Sequence, residues 1–175
     1  MGPFISAPMP ATTDDLFARL DQLGIAYETH DHPAVFTVEE AREHCGHLPG
    51  CHNKNLFVKD KKDRIWLIVA RDDAPIRLGE LEKRLGAKRL SFGKPELLMA
   101  VLGVAPGAVT PFGLINDKEC RVSVILDQTM LAADLVNFHP LSNGKTTALK
   151  PGDLLRFIES CGHEPRIMNV DAGAA

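Results

Sequence analysis

The sequence predicts an α/β (α+β) fold: one domain in which helices pack against a mixed β-sheet. A length of 175 residues suits a single domain with a sizeable core. Short strand-like runs and short amphipathic helices alternate irregularly along the chain. Several neighbouring strand candidates are joined too tightly for the crossover that a parallel pair needs, which argues against a doubly wound parallel sheet.

Taken in order, Thr12-Thr13-Asp14-Asp15 opens the first helix with hydroxyl caps and with acids suited to the positive end of its dipole. Leu16, Phe17, Leu20 and Leu23 share one face, and Gly24 supplies the stop. Residues 25–29 read as a short strand and His30-Asp31-His32-Pro33 as a turn. Thr37 and Glu40 have the spacing of a capping box for a short helix through Cys45. A strand over 53–60, a polar hairpin turn at Lys61-Lys62-Asp63 and a continuous apolar strand over 65–70 follow, the last expected to be buried on both faces. Helices are predicted over 78–85, ended by Gly86, and over 95–102, with Pro95 in the first turn.

Residues 102–117 then alternate three glycines (Gly103, Gly107, Gly113) and two prolines (Pro106, Pro111) with small apolar side chains. Pro111 removes a donor and glycine has little helical preference, so regular helix is excluded. Two readings remain: a tight turn joining helix to strand, or a rigid, partly buried loop whose bare backbone comes close to a ligand. Strands over 121–126, 135–138 and 146–149, a helix over 151–161 and a last strand over 166–170 complete the chain. Residues 1–12 are expected to form a flexible segment, 13–170 the domain, and 171–175 a fraying tail.

A hydrophobic content of 45% with 25% charged residues is ordinary for a soluble protein. The first ten residues lack the design of a signal peptide, and no run approaches the roughly 20 apolar residues of a membrane span. A cytoplasmic protein with no membrane partner is therefore expected. Cys45, Cys51, Cys120 and Cys161 form no regular framework and read as reduced thiols. The net charge of −3 is unevenly distributed. Residues 1–53 hold two basic and eight acidic side chains, residues 54–94 twelve and six, and residues 95–175 six and nine. The basic middle segment is either a footprint for a polyanion or a solvated face laced with salt bridges.

The stretch from His44 to His52 offers five possible metal ligands: His44, Cys45, His47, Cys51 and His52. Structural zinc wants a second ligand pair further along, and none follows; a surface loop with no metal and no cofactor is expected.

Three segments together resemble the YbaK/prolyl-tRNA-synthetase-associated editing domains: Lys54-Asn55-Leu56-Phe57, the loop from Gly107 to Gly113, and Phe138-His139-Pro140-Leu141-Ser142-Asn143. The run from His32 to Ala41 is also similar to that family, and the ordered set covers roughly residues 13–165. The Gly-Ala-Val-Thr-Pro-Phe-Gly form is more similar to free-standing alanyl-tRNA(Pro) deacylases than to the cysteinyl branch, whose Gly-Gly-Cys-Ser-Pro form is missing.

That resemblance implies hydrolysis of the ester joining a wrong amino acid to the 3′ end of tRNA(Pro). Lys54 inherits the role most associated with activity. Gly107, Ala108, Val109, Thr110 and Pro111 inherit the holding of the substrate carbonyl and amino acid. His139 lines the pocket, with Asn143 of the same segment beside it. The implied partner is tRNA(Pro) mischarged with alanine, with prolyl-tRNA synthetase a further candidate and no DNA. Backbone N–H groups of a glycine loop suit the negative charge that develops on an ester carbonyl. An amine is a poor general base unless desolvated, so Lys54 is expected to act by positioning and electrostatics. Ala108, Val109 and Val38 are candidate walls of a pocket that admits alanine and excludes proline. Lys59, Lys61, Lys62, Lys88 and Arg89 are candidates to meet acceptor-stem phosphates. The alternatives are a Cys-tRNA(Pro) deacylase of the same fold and a non-catalytic nucleic-acid-binding module.

Overall fold

A computed structural model describes residues 9–171 and, within them, every side chain but that of Val38. Residues 1–8 and 172–175 of the expected end segments, and Val38 as a pocket wall, thus lie outside the described residues. Residues 10–12 are tied to the body. Pro10 packs where a side chain on Gly103 would stand, and the Ala11 N–H donates to Asn116 Oδ1 (2.8 Å).

Five helices are described: α1 (Thr13–Gln22), α2 (Val38–Cys45), α3 (Leu78–Leu85), α4 (Pro95–Leu102) and α5 (Pro151–Ser160). Their boundaries follow local chemistry. Thr12 and Asp15 close a reciprocal capping box on α1, and Thr37 accepts from the Glu40 N–H at the start of α2. Left-handed Gly86 and Gly103 end α3 and α4, a conformation that glycine adopts without a Cβ penalty.

Eight strands form one mixed sheet: β1 (Tyr27–Asp31), β2 (Cys51–Lys59), β3 (Ile65–Arg71), β4 (Ser91–Phe92), β5 (Val122–Asp127), β6 (Val136–Phe138), β7 (Lys145–Leu149) and β8 (Arg166–Met168). Their order is β1-β7-β6-β2-β3-β5-β8, with β4 also on β2. The β1–β7, β6–β7, β2–β3 and β2–β4 pairs are antiparallel; β2–β6, β3–β5 and β5–β8 are parallel. This is the mixed sheet with packed helices that the short connections imply.

Side chains alternate across the sheet. Phe57, Leu67 and Val69 enter the larger core with Leu16 and Leu20 of α1, Leu102 of α4 and Phe157 of α5. Val58, Trp66, Ile68 and Ala70 face the other way, onto Leu81 of α3. The first strand begins two residues later than residues 25–29 suggest, and runs through the expected turn at His30-Asp31. Its register is set by β7, with Tyr27 opposite Leu149 and Asp31 opposite Lys145, a partner more than a hundred residues away.

The site is positioned by β2. One edge of this strand is paired throughout Asn53–Lys59 with β3. Its other edge carries β6 at Cys51 and His52 and β4 at Val58 and Lys59. Between these partners, residues 53–56 have no ladder partner on that side among the described residues, and the sheet opens.

Candidate active site

The glycine- and proline-rich loop is a pair of 3-10 turns, Pro106–Ala108 and Pro111–Asn116. It is a built part of the core. Pro111, Phe112, Gly113 and Leu114 are buried, and the Phe112 ring meets Phe138 and Phe157 edge-on, at centroid distances of 6.1 and 5.3 Å. Buried Thr110 accepts the Phe112 N–H through Oγ1 (3.2 Å). The Ala108 N–H donates to the Ala105 carbonyl (2.9 Å), which removes it from the amides expected to hold a substrate carbonyl. Half-buried Gly107 lies against Asn143 and Phe36: a Cβ there would stand 3.1 Å from Asn143 Nδ2 and 2.9 Å from the Phe36 ring.

Beside the opening in the sheet lies a small cavity of about 50 Å³, lined chiefly by Asn53 and Asn55 of β2, Asn137 of β6, His139, Thr146 of β7 and Cys45 of α2. Two of its acceptors, Asn55 Oδ1 and Asn137 Oδ1, are buried without a hydrogen-bond partner. The orientation of Asn137 is set by its amide nitrogen, which donates to the carbonyls of Pro49 (3.0 Å) and Cys51 (3.3 Å). A buried acceptor left without a donor costs about 1–3 kcal/mol, so each of these oxygens is a candidate to receive one.

His139 Nδ1 faces the Lys145 carbonyl at 2.8 Å. A carbonyl only accepts, so the proton of the neutral ring sits on Nδ1 and Nε2 is left with its lone pair. Burial lowers the pKa of His139 from its ordinary value; the Lys145 carbonyl opposes this shift, and His32 adds to it. His32 lies 6.0 Å from His139 between ring centroids and is held by Thr146 Oγ1 (2.7 Å) and the Pro33 carbonyl (2.8 Å). His139 and Asn143, four residues apart in one loop, thus link the cavity to the Gly107 turn.

Lys54 stands apart from this group. It pairs with Ala70, whose side chain is on the α3 face, and its ammonium donates to the Ala74 carbonyl. Its neighbours Asn53 and Asn55 face the cavity. The structure therefore brings Gly107, Asn143 and His139 together, but holds the Lys54 ammonium on the other side of the strand. Val109 is half-buried, and Ala108 packs in the larger core.

Asn53, Asn55, Asn137, Thr146 and His32 were given no role in the site from the sequence, although Asn55 and His32 lie in segments that carry the family resemblance. The available signal was the alternation of Asn53 and Asn55 in a strand that is otherwise apolar toward its end. Lys61, Lys62, Lys88 and Arg89 are exposed and joined by the bond from the Lys61 N–H to the Lys88 carbonyl (2.9 Å); Lys59 pairs with Asp63 at 3.3 Å. Among the described residues no three His, Cys, Asp or Glu side chains gather as metal ligands, and His52 Nε2 faces the Leu48 carbonyl (2.9 Å). Burial pushes the Cys51 thiol up to about 11, which removes it as a thiolate at neutral pH. No helix among the described residues is long and apolar enough to cross a membrane.

The fold of this mixed sheet and its packed helices is shared with solved structures. One of them, a crystal structure of a protein proposed as a trans-editing enzyme for prolyl-tRNA synthetase, superposes with a TM-score of 0.71 over 93% of this chain and 99% of that one, at 19% identity. Residues 32–157 match the model of the aminoacyl-tRNA editing domain, and the chain belongs to that family. A zebrafish (Danio rerio) relative, prolyl-tRNA synthetase associated domain-containing protein 1, is 43% identical over 87% of this chain and 84% of its own. The prolyl-tRNA editing protein ProX of Acetoanaerobium sticklandii is 34% identical over 85% and 91%.

Proposed function

We propose that this protein is an aminoacyl-tRNA deacylase that removes alanine from mischarged tRNA(Pro). The observation that carries this reading is the small cavity with two unsatisfied amide oxygens beside a neutral histidine. An α-ammonium group brings N–H donors, and Asn55 Oδ1 and Asn137 Oδ1 are the acceptors to receive it. The ester carbonyl then lies toward the amides of Gly107, Val109 and Thr110, where charge developing on its oxygen is stabilised.

Water attacks the carbonyl carbon, and His139 Nε2 accepts a proton from it. The tetrahedral intermediate collapses with release of the ribose 3′-oxygen, which takes a proton back. Lys54 supplies a cation from the open edge of β2; to reach the ester its side chain has to leave the Ala74 carbonyl. Pro111 shapes the turn, while Asn143 fixes the approach of Gly107.

The names of the relatives support tRNA(Pro) as the carrier and prolyl-tRNA synthetase as an associate. The need for a second site is physical. A pocket built for proline gains only about 1–3 kcal/mol per methylene over a smaller side chain, too little to reject alanine. A cavity of this size reverses the sieve. Lys59, Lys61, Lys62, Lys88 and Arg89 meet acceptor-stem phosphates, which makes binding weaken with salt. The test is a panel of Ala-tRNA(Pro), Pro-tRNA(Pro) and Cys-tRNA(Pro). Alanine release with proline retained is expected; equal hydrolysis of all three overturns the sieve, and binding without turnover overturns the enzyme.

A further inference from the structure

Phe36 is 69% exposed, an unusual state for a phenylalanine beside a candidate active site. It precedes Thr37, the cap of α2, a position from which an apolar side chain ordinarily folds back onto the first turn of its helix. Exposure of this size leaves most of the ring uncovered by any such staple. Yet the backbone just before it is clamped. The Val35 N–H donates to the Asn143 carbonyl (3.2 Å), and Asn143 Nδ2 donates to the Val35 carbonyl (3.1 Å). The ring edge also lies so close to Gly107 that any side chain there would meet it. The chain thus holds a flat apolar surface in water, next to the turn assigned above to the ester carbonyl.

We propose that Phe36 is a stacking platform for the base of the RNA's 3′-terminal nucleoside. This rests on the ester-hydrolysing reading. The scissile ester is carried by the terminal ribose, and the base is attached to that same sugar, so it must sit just outside the carbonyl site. Aromatic faces bind bases by stacking, with preferences set by stacking strength, which is greater for the two-ring purine at the terminus than for cytosine. The neighbouring charges favour a base over a phosphate: Glu39 and Glu40 in the first turn of α2 repel anions and leave a neutral heterocycle undisturbed.

The test uses Phe36→Trp as a reporter, since the one native tryptophan, Trp66, is buried. An RNA trinucleotide ending in CCA is expected to quench the new indole, the dinucleotide CC is not, and AMP quenches only at far higher concentration. Equal responses to CCA and CC, or none, overturn the platform. AMP acting as strongly as CCA replaces the RNA end with a free-nucleotide site. In deacylation, Phe36→Ala raises KM for Ala-tRNA(Pro) about tenfold with a smaller fall in kcat, and Phe36→Tyr restores KM. A defect confined to kcat defeats the proposal. If the wild type shows no deacylation while Phe36→Trp still separates CCA from CC, the platform stands and the hydrolase reading falls.

Discussion

Adjacent residues of β2 meet two different environments. Asn53 and Asn55 look into a small polar cavity, whereas Lys54 between them turns to the α3 face and bonds the Ala74 carbonyl. The difference teaches that a Lys-Asn pair in a strand offers chemistry to both faces of the sheet. Only an opening in the sheet lets the two act on one substrate. Residues 53–56 are where that opening lies.

The sharpest way to break this comparison is Lys54→Ala. If the ammonium swings across the open edge to the ester, alanine release falls about 100-fold, in the range of a lost oxyanion contact, while the unfolding free energy changes by no more than about 1 kcal/mol. Rapid alanine release with a clear loss of stability would reduce Lys54 to an anchor for Ala74. Urea unfolding and single-turnover deacylation on one preparation separate these outcomes.

Asn137→Ala attacks the cavity side. It strips two carbonyls, those of Pro49 and Cys51, of a donor and deletes an acceptor for the substrate. A stability loss of about 2 kcal/mol is expected by denaturation, with a rise in KM for Ala-tRNA(Pro).

The smallest effect is a pH dependence. Because burial lowers the pKa of His139, Nε2 keeps its lone pair as pH falls through the ordinary histidine range near 6.5. Deacylation therefore stays level from pH 8 to 7 and falls only below about 6.5, as Nε2 protonates. Over the same window the unfolded chain binds more protons than the folded one. The contribution of His139 to stability is thus fully present above about pH 6.5 and is lost as pH falls toward its lowered folded value. A rate already declining between pH 8 and 7 would remove His139 as the proton acceptor.

Much of the scaffold was legible because its signals are local. Thr12 with Asp15, Gly86 after Leu85, Pro95 at its helix start, and the apolar run from Ile65 mark their elements within a few residues of themselves. The buried turn at Pro111 was legible as rigid and non-helical, though not as two 3-10 turns centred on Phe112. What escaped depends on distant partners. The start of β1 is set by β7, the two-residue β4 exists only because β2 offers it an edge, and the cavity forms where β2 parts from β6, some eighty residues further along the chain. Asn53, Asn55 and Asn137 are ordinary polar residues until that parting makes them neighbours. Gly107, Asn143 and His139 came into view through the family resemblance, and the structure adds Phe36 and His32 to their surroundings.

The gap in the pairing of β2 also bears on how the protein avoids sticking to itself. Bare strand edges invite a foreign strand to add on and seed aggregation. Here the bare stretch, residues 53–56, spans only about 13 Å and is bracketed by β6 at one end and β4 at the other. A neighbouring chain cannot lay a strand along so short an interior gap. The fold can therefore keep main-chain groups free beside its cavity without exposing a template for amyloid-like growth.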